Sequence, residues 1–211
     1  MGLKLGLKEH EISQQRQAGN CWLQVLDTFR MTLTDKEYKE FLKTHLDLLF
    51  YVGHIKNVLP KDLTLKKFLI LDFQIKFKCR ETLFEDEDII DEYISSNFDH
   101  LTTDQIKILV GFKKKIRSSF IIFKCLTNYA IFIDTKDNRF YAVKALGDSF
   151  DKFFNNFPVS ISTTLIPFKD KIIYDGFIKS SGVYYGRNMT ETMNEDYKKA
   201  KHNKKILTSL T

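Results

Sequence analysis

The chain has 211 residues, a formal net charge of +6, 43% hydrophobic and 14% aromatic residues, with Phe far outnumbering Trp. That is enough to bury a core as one compact unit with two halves, and too apolar for a disordered chain. The longest apolar stretches, "FLILDFQI" and "SSFIIF", reach about a third of a membrane span, no basic start leads into an apolar run, and a cytoplasmic protein without a membrane partner is expected.

From residue 8 to about 115 the apolar residues recur mainly at helical spacing. Trp22, Val25, Leu26, Phe29 and Leu33 form a first stripe behind Asn20 as N-cap. Thr34 caps the next helix, "DKEYKEFLKTHLDLLFYVGHI", whose Tyr38, Phe41, Leu42, His45, Leu48, Leu49 and Val52 read as core. After Pro60 the segment "LTLKKFLILDFQIKFKCRETLF" is read as helix, although "FQIKFKC" alternates like a strand. Further helices are predicted near "EDIIDEYISSNF" and at "TTDQIKILVGFKKKI", the latter capped by Thr102 or Thr103.

At about residue 116 the pattern changes to an antiparallel meander, "RSSFIIFKCLTNYAIFIDTKDNRFYAVKALG", with a turn at "TKDN". "DSFDKFFNNFP" reads as a short helix or loop, and "SISTTLIPF", "KD" and "KIIYDGFI" as a second hairpin. A last helix, capped by Asn188 with Glu191 three residues on, carries Met189, Met193, Tyr197 and Ala200 on one face. The expected architecture is α+β: a helical region over residues 1–115 packed on a C-terminal antiparallel β-sheet or small barrel over 116–211, closed by a basic C-terminal helix.

Cys21, Cys79 and Cys125 are odd in number, far apart and without C-x-x-C spacing, as reduced cytosolic thiols are. The five histidines, His10, His45, His54, His100 and His202, contain no H-x-x-x-H pair, so neither a metal nor any other cofactor is expected. Charge is unevenly spread: an acidic run, "FEDEDIIDEY", precedes "KKKIR" (113–117), and a basic stretch, "DYKKAKHNKK" (196–205), lies near the end. Lys198, Lys199 and Lys201 of that end could meet phosphates, or simply occupy the solvated end of a helix. No helix-turn-helix, zinc-finger, RNP or KH signature accompanies them.

Cys21 opens a predicted helix, where exposed amides favour thiolate. Gln15, Gly19, Cys21 and Trp22 stand as Q-x-x-x-G-x-C-W, which resembles the segment around the nucleophile of papain-like cysteine proteases. The resemblance implies a thiol nucleophile at Cys21 and an oxyanion-stabilising amide at Gln15. That family also needs a downstream histidine base, and the matching segments hold Tyr129 and Ala145, with no histidine between His100 and His202. The bland alternative is a core cysteine and tryptophan at a helix start.

A longer resemblance covers residues 110 to 205. "FIIFKCLTNYAIFIDTKDNRFYAVKALGDSFDKFF", "TTLIPFKDKIIYDGFI" and "YGRNMTETMNEDYKKAK" are similar to an uncharacterised bacterial protein family with a P-F-x-x-K-I-x-Y-D-G segment and a helix ending in Y-x-x-A-K. Relatives sometimes carry a SEC-C zinc tail, which the sequence given, ending in "ILTSLT", does not show. The resemblance implies a fold grouping without an activity. In that segment Asp170 suits a two-residue turn and Asp175-Gly176 a bulge in which glycine takes a positive φ. The functional alternative places Tyr174, Asp175, Tyr184, Tyr185 and Arg187 around a ligand cleft. Taken together, the sequence predicts a non-enzymatic protein that binds another macromolecule, protein in preference to nucleic acid. A thiol hydrolase or its inactive relative, and a basic nucleic-acid binder, are the alternatives.

Overall fold

The structure, a computed structural model, describes residues 31–210. Thr34 opens α1 (Asp35–Ile55): its hydroxyl accepts from the Glu37 N–H while the Glu37 carboxylate accepts from the Thr34 N–H. The buried face of α1 is Phe41, Thr44, His45, Leu48, Leu49, Val52 and Gly53; of the expected stripe, Tyr38 and Leu42 are only half-buried. Residues 65–85 form two helices, α2 (Leu65–Leu69) and α3 (Phe73–Glu85), because the Asp72 side chain accepts from the Gln74 N–H at 2.7 Å and starts a new helix. The alternation in "FQIKFKC" does not produce a strand; Cys79, Arg80 and Leu83 are the buried residues of α3, at helical spacing. Helices α4 (Asp88–Asn97) and α5 (Thr103–Gly111) follow, the second capped reciprocally by Thr102 and Gln105.

The remaining elements are β1 (Ile116–Cys125), β2 (Ala130–Asp134), β3 (Phe140–Lys144), β4 (Val159–Phe168), β5 (Lys171–Tyr184), α6 (Arg187–His202) and β6 (Ile206–Leu207). The meander β1-β2-β3 and the hairpin β4-β5 are antiparallel, as predicted, and β1 also pairs antiparallel with β4. A short parallel pairing of β3 with β5, Val143 against Ile172 and Lys144 against Ile173, closes the ring. The sheet is therefore a five-stranded barrel in the order 1-2-3-5-4 and back to 1, with β6 added in parallel to the other end of β3. Within that ring β4 lies beside β1 of the meander, the spatial order 4-1-2-3 of a Greek key.

Phe120, Phe132 and Tyr141 fill the barrel, and Phe150, from a 3₁₀ turn between β3 and β4, packs on Phe132 and Tyr174. The helices lie on the outer face of β4: Phe41 meets Phe168 edge-on and His45 meets Phe177. Gly111 permits this contact, since a Cβ there would lie 2.9 Å from the Pro167 carbonyl oxygen. On another side α6 lays Met193, Tyr197 and Ala200 over Ile121, Phe123, Ile131, Ile133 and Phe140, making a second, smaller core.

Two expectations about α6 are corrected. Its N-cap is Gly186 rather than Asn188, because the helix begins one residue before Asn188 and is pinned at that end by the Arg187–Glu191 pair at 2.9 Å. Met189 stays outside the buried face, 53% exposed, while the other three apolar residues pack. The expected turn at Lys169-Asp170 is present, and the bulge falls at 175–177, where three β5 residues lie between the partners of Thr163 and Leu165. Gly176 takes φ +91° there.

Candidate functional site

The bulge aims the Asp175 carboxylate away from the barrel interior, into the layer between β5 and α3. Its Oδ1 accepts from the Phe177 N–H at 3.1 Å, and its Oδ2 lies 2.9 Å from Arg80 Nε. Both side chains are buried. The contact is ionic rather than a hydrogen bond: the donor N–H is not aligned with the short line, so both atoms keep unused hydrogen-bonding capacity. The Arg80 guanidinium is also stacked among Phe77, Phe84 and Phe177, 4.8 to 5.3 Å from their ring centroids. Burial pushes the Asp175 carboxyl up to about 7, against the pull of Arg80. Across Phe177, His45 packs between Phe41 and Phe112, and burial, with help from the Arg80 charge, lowers it to about 3.

Arg80 forms part of the wall of a cavity of about 440 Å³, where α3 leaves the outer face of β1, β4 and β5 uncovered. Register decides which strand residues share that face: Arg117 is opposite Thr164, Ser119 opposite Ser162, and Ser162 opposite Lys179. Ser118, Thr163 and Phe77 complete the lining. Lys136 comes from the β2–β3 turn, which is latched to β1: Asp134 Oδ1 accepts from both Ser118 Oγ and the Lys136 N–H, and Thr135 Oγ1 donates to the Ser119 carbonyl. The lining therefore has four cations, Arg80, Arg117, Lys136 and Lys179, with five hydroxyls and no carboxylate. Thr164 is fully buried and its hydroxyl has no partner. Such an array of charge-assisted donors is suited to an oxyanion.

Glu81, itself outside this lining, bridges the two arginines, one oxygen to Arg80 Nη1 and the other to Arg117 Nη2 at 2.5 Å. By contrast, Lys136 and Lys179 are exposed and make no ion pair among the described residues.

The residues singled out from sequence are dispersed. Cys21 and Gln15 lie outside the described residues, as does the helix predicted around Trp22. The described thiols, Cys79 and Cys125, are pushed up by burial to about 11, far from thiolate at neutral pH. Asp175 stands behind the basic cavity, but Tyr174 points to the opposite side of β5, against Phe150. Tyr184 is half exposed at the end of β5, Tyr185 packs on the second core, and Arg187 is solvent-facing. These residues do not line one cleft.

Lys198, Lys199 and Lys201 lie on the exposed side of α6, Lys199 beside Asp196. Lys124 stacks on Tyr197 at 3.9 Å; burial lowers its pKa, and Lys201 and Lys198 add to the effect. The "KKKIR" run is largely neutralised: Lys113 pairs with Asp91, Lys115 with Glu87 and Arg117 with Glu81.

Sequence reading missed Arg80, Glu81, Lys136, Thr164 and Lys179. The available signal was the runs "RSS" and "SISTT" inside the β-rich half, where hydroxyls replace the apolar residues a covered strand would carry. Among the described residues no group of three or more His, Cys, Asp or Glu side chains is arranged to hold a metal, and no helix is long and apolar enough to cross a membrane. No family model matches the chain, and comparisons with curated proteins and with solved structures return no match.

Proposed function

We propose that this chain is a cytoplasmic, non-enzymatic binding protein that holds an anionic group of a macromolecular partner in the Arg80–Arg117–Lys136–Lys179 cavity. One observation carries the reading: the cavity gathers four cations and five hydroxyls without a lining carboxylate, and one of those hydroxyls is buried with its hydrogen-bonding capacity unused. Burying a polar group without a partner costs about 1–3 kcal/mol, so a ligand that supplies the partner recovers that cost on binding.

Protein is the preferred partner over nucleic acid for two reasons. Some five-stranded Greek-key barrels bind oligonucleotides on the face of strands 2 and 3, and here α6 covers the outer side of Ile131, Ile133 and Phe140. In addition, Lys113 and Lys115 of the basic run are paired with Asp91 of α4 and with Glu87 at its start, outside the cavity. The cytoplasmic placement rests on the free thiols of Cys79 and Cys125.

The test is a thermal melt in sulfate or phosphate against chloride at matched ionic strength. These anions are expected to raise the Tm of the wild type more than that of Lys136→Gln/Lys179→Gln. Both lysines are exposed, so the double substitution itself should shift stability by less than about 0.5 kcal/mol per site. An equal rise in both proteins is the general salting effect and refutes the site.

A further inference from the structure

We infer that the anion taken by this cavity is a phosphate monoester, and that Glu81 holds two of its arginine partners until it arrives. This rests on the anion-site reading above. Glu81 presents one oxygen to each of two guanidiniums, the arrangement a bridging oxyanion adopts between paired arginines. A carboxylate has only those two oxygens and one charge. With both spent on Arg80 and Arg117, nothing is left for the rest of the cavity, where Lys136 and Lys179 have no ion-pair partner among the described residues and the buried Thr164 hydroxyl is unsatisfied.

A phosphate monoester supplies what Glu81 lacks. It brings three terminal oxygens and about −1.5 to −2 charges at neutral pH. Two oxygens can replace the Glu81 carboxylate on the arginines while the third reaches the lysines and hydroxyls. Glu81 can yield its place, since its side chain is 29% exposed and can swing toward solvent, while Arg80 stays anchored on Asp175 and three aromatic rings. A phosphodiester has two free oxygens and one charge, so it matches Glu81 without improving on it. The internal carboxylate thus makes the cavity selective: it is displaced by a dianion and competes evenly with a monoanion.

The ester can be carried by a phosphorylated side chain of a protein or by a small metabolite, and titration calorimetry on the whole chain separates the two. The probes are inorganic phosphate, a phosphoserine peptide, its unphosphorylated form, and a short single-stranded oligonucleotide without terminal phosphate. At fixed ionic strength and pH the phosphate and the phosphopeptide are expected to bind, and the unphosphorylated peptide is not. The oligonucleotide should bind at least about tenfold more weakly. Glu81→Gln removes the competing charge and should raise affinity for the monoester about tenfold, while Lys136→Gln lowers it by a similar factor.

A peptide that binds well above inorganic phosphate identifies a phosphorylated protein segment; equal affinities identify a small phosphorylated molecule. If oligonucleotide and monoester bind equally, or if Glu81→Gln leaves monoester affinity unchanged or lower while Lys136→Gln still reduces it, the anion site stands and the phosphate-monoester inference fails. If no anion binds at all, the anion-site reading fails with it.

Discussion

Above about pH 7, where the Asp175 carboxyl is ionised, replacing it by alanine is expected to lower stability by about 3–5 kcal/mol, a large part of the total for a domain of this size. The substitution removes the carboxylate that faces Arg80, a cation 4% exposed that cannot shed its proton. Glu81 still neutralises part of that charge from the solvent side, but the bulge also loses the Asp175 Oδ1 acceptor of the Phe177 N–H. Converting Arg80 to methionine in the same chain should restore much of the loss. An apolar side chain of similar length suits the Phe77, Phe84 and Phe177 cage, and a buried pair replaced by packing is often close to neutral. Urea unfolding of the two single variants and the double variant gives the coupling directly. Additive losses would show that the pair is not energetically linked. The double variant should also lose anion binding, since Arg80 belongs to the cavity wall.

His45→Leu is expected to unmask a pH dependence of stability that the wild type nearly lacks, without abolishing folding. His45 takes up its proton near 6.5 when unfolded but only near 3 when folded, so the unfolded chain binds more protons between those values. Its contribution to stability therefore falls as the pH drops from 6.5 toward 3. Asp175 works in the opposite sense. Its carboxyl holds a proton up to about 7 in the folded protein and only to about 3.8 when unfolded, so its contribution rises as the pH drops through that window. Between pH 6.5 and 4 each effect amounts to about 3 kcal/mol, and they nearly cancel in the wild type. Leucine keeps the volume between Phe41 and Phe112 and removes a buried ring nitrogen that has no partner. The variant should thus gain about 3 kcal/mol relative to the wild type on going from pH 6.5 to 4, read as diverging denaturation midpoints. Parallel profiles would show that His45 is not held neutral by its surroundings.

The elements of this fold were legible where local chemistry decides them. Thr34 with Glu37 and Thr102 with Gln105 are reciprocal caps written in adjacent residues, and the α1 stripe and the two hairpins follow from periods of 3.6 and 2. The break at Asp72 was hidden because apolar residues continue on both sides of it, and only the side-chain bond to Gln74 marks a new helix. Closure of the barrel was not legible either, since it depends on two parallel register pairs between β3 and β5 that leave no local pattern. The site was harder still. Arg80 sits in a stretch whose charged residues look solvated, and its burial is explained only by Asp175, far along the chain. Asp175-Gly176 did announce a bulge; what that bulge does, which is to turn a carboxylate toward α3, emerges only once helix and barrel are packed. Lys136 and Lys179 carry no signal of their own, because exposed lysines are ordinary until register and a latched turn bring them to the same cavity.

Backbone amide NMR during titration with phosphate at constant ionic strength shows whether the basic cavity takes an anion. Saturable shifts are expected at residues 80–81, 117–119, 136, 162–164 and 179, abolished in Lys136→Gln/Lys179→Gln. Shifts centred instead on Lys124, Lys198 and Lys201, or small non-saturating shifts spread over all exposed lysines, would contradict anion binding there.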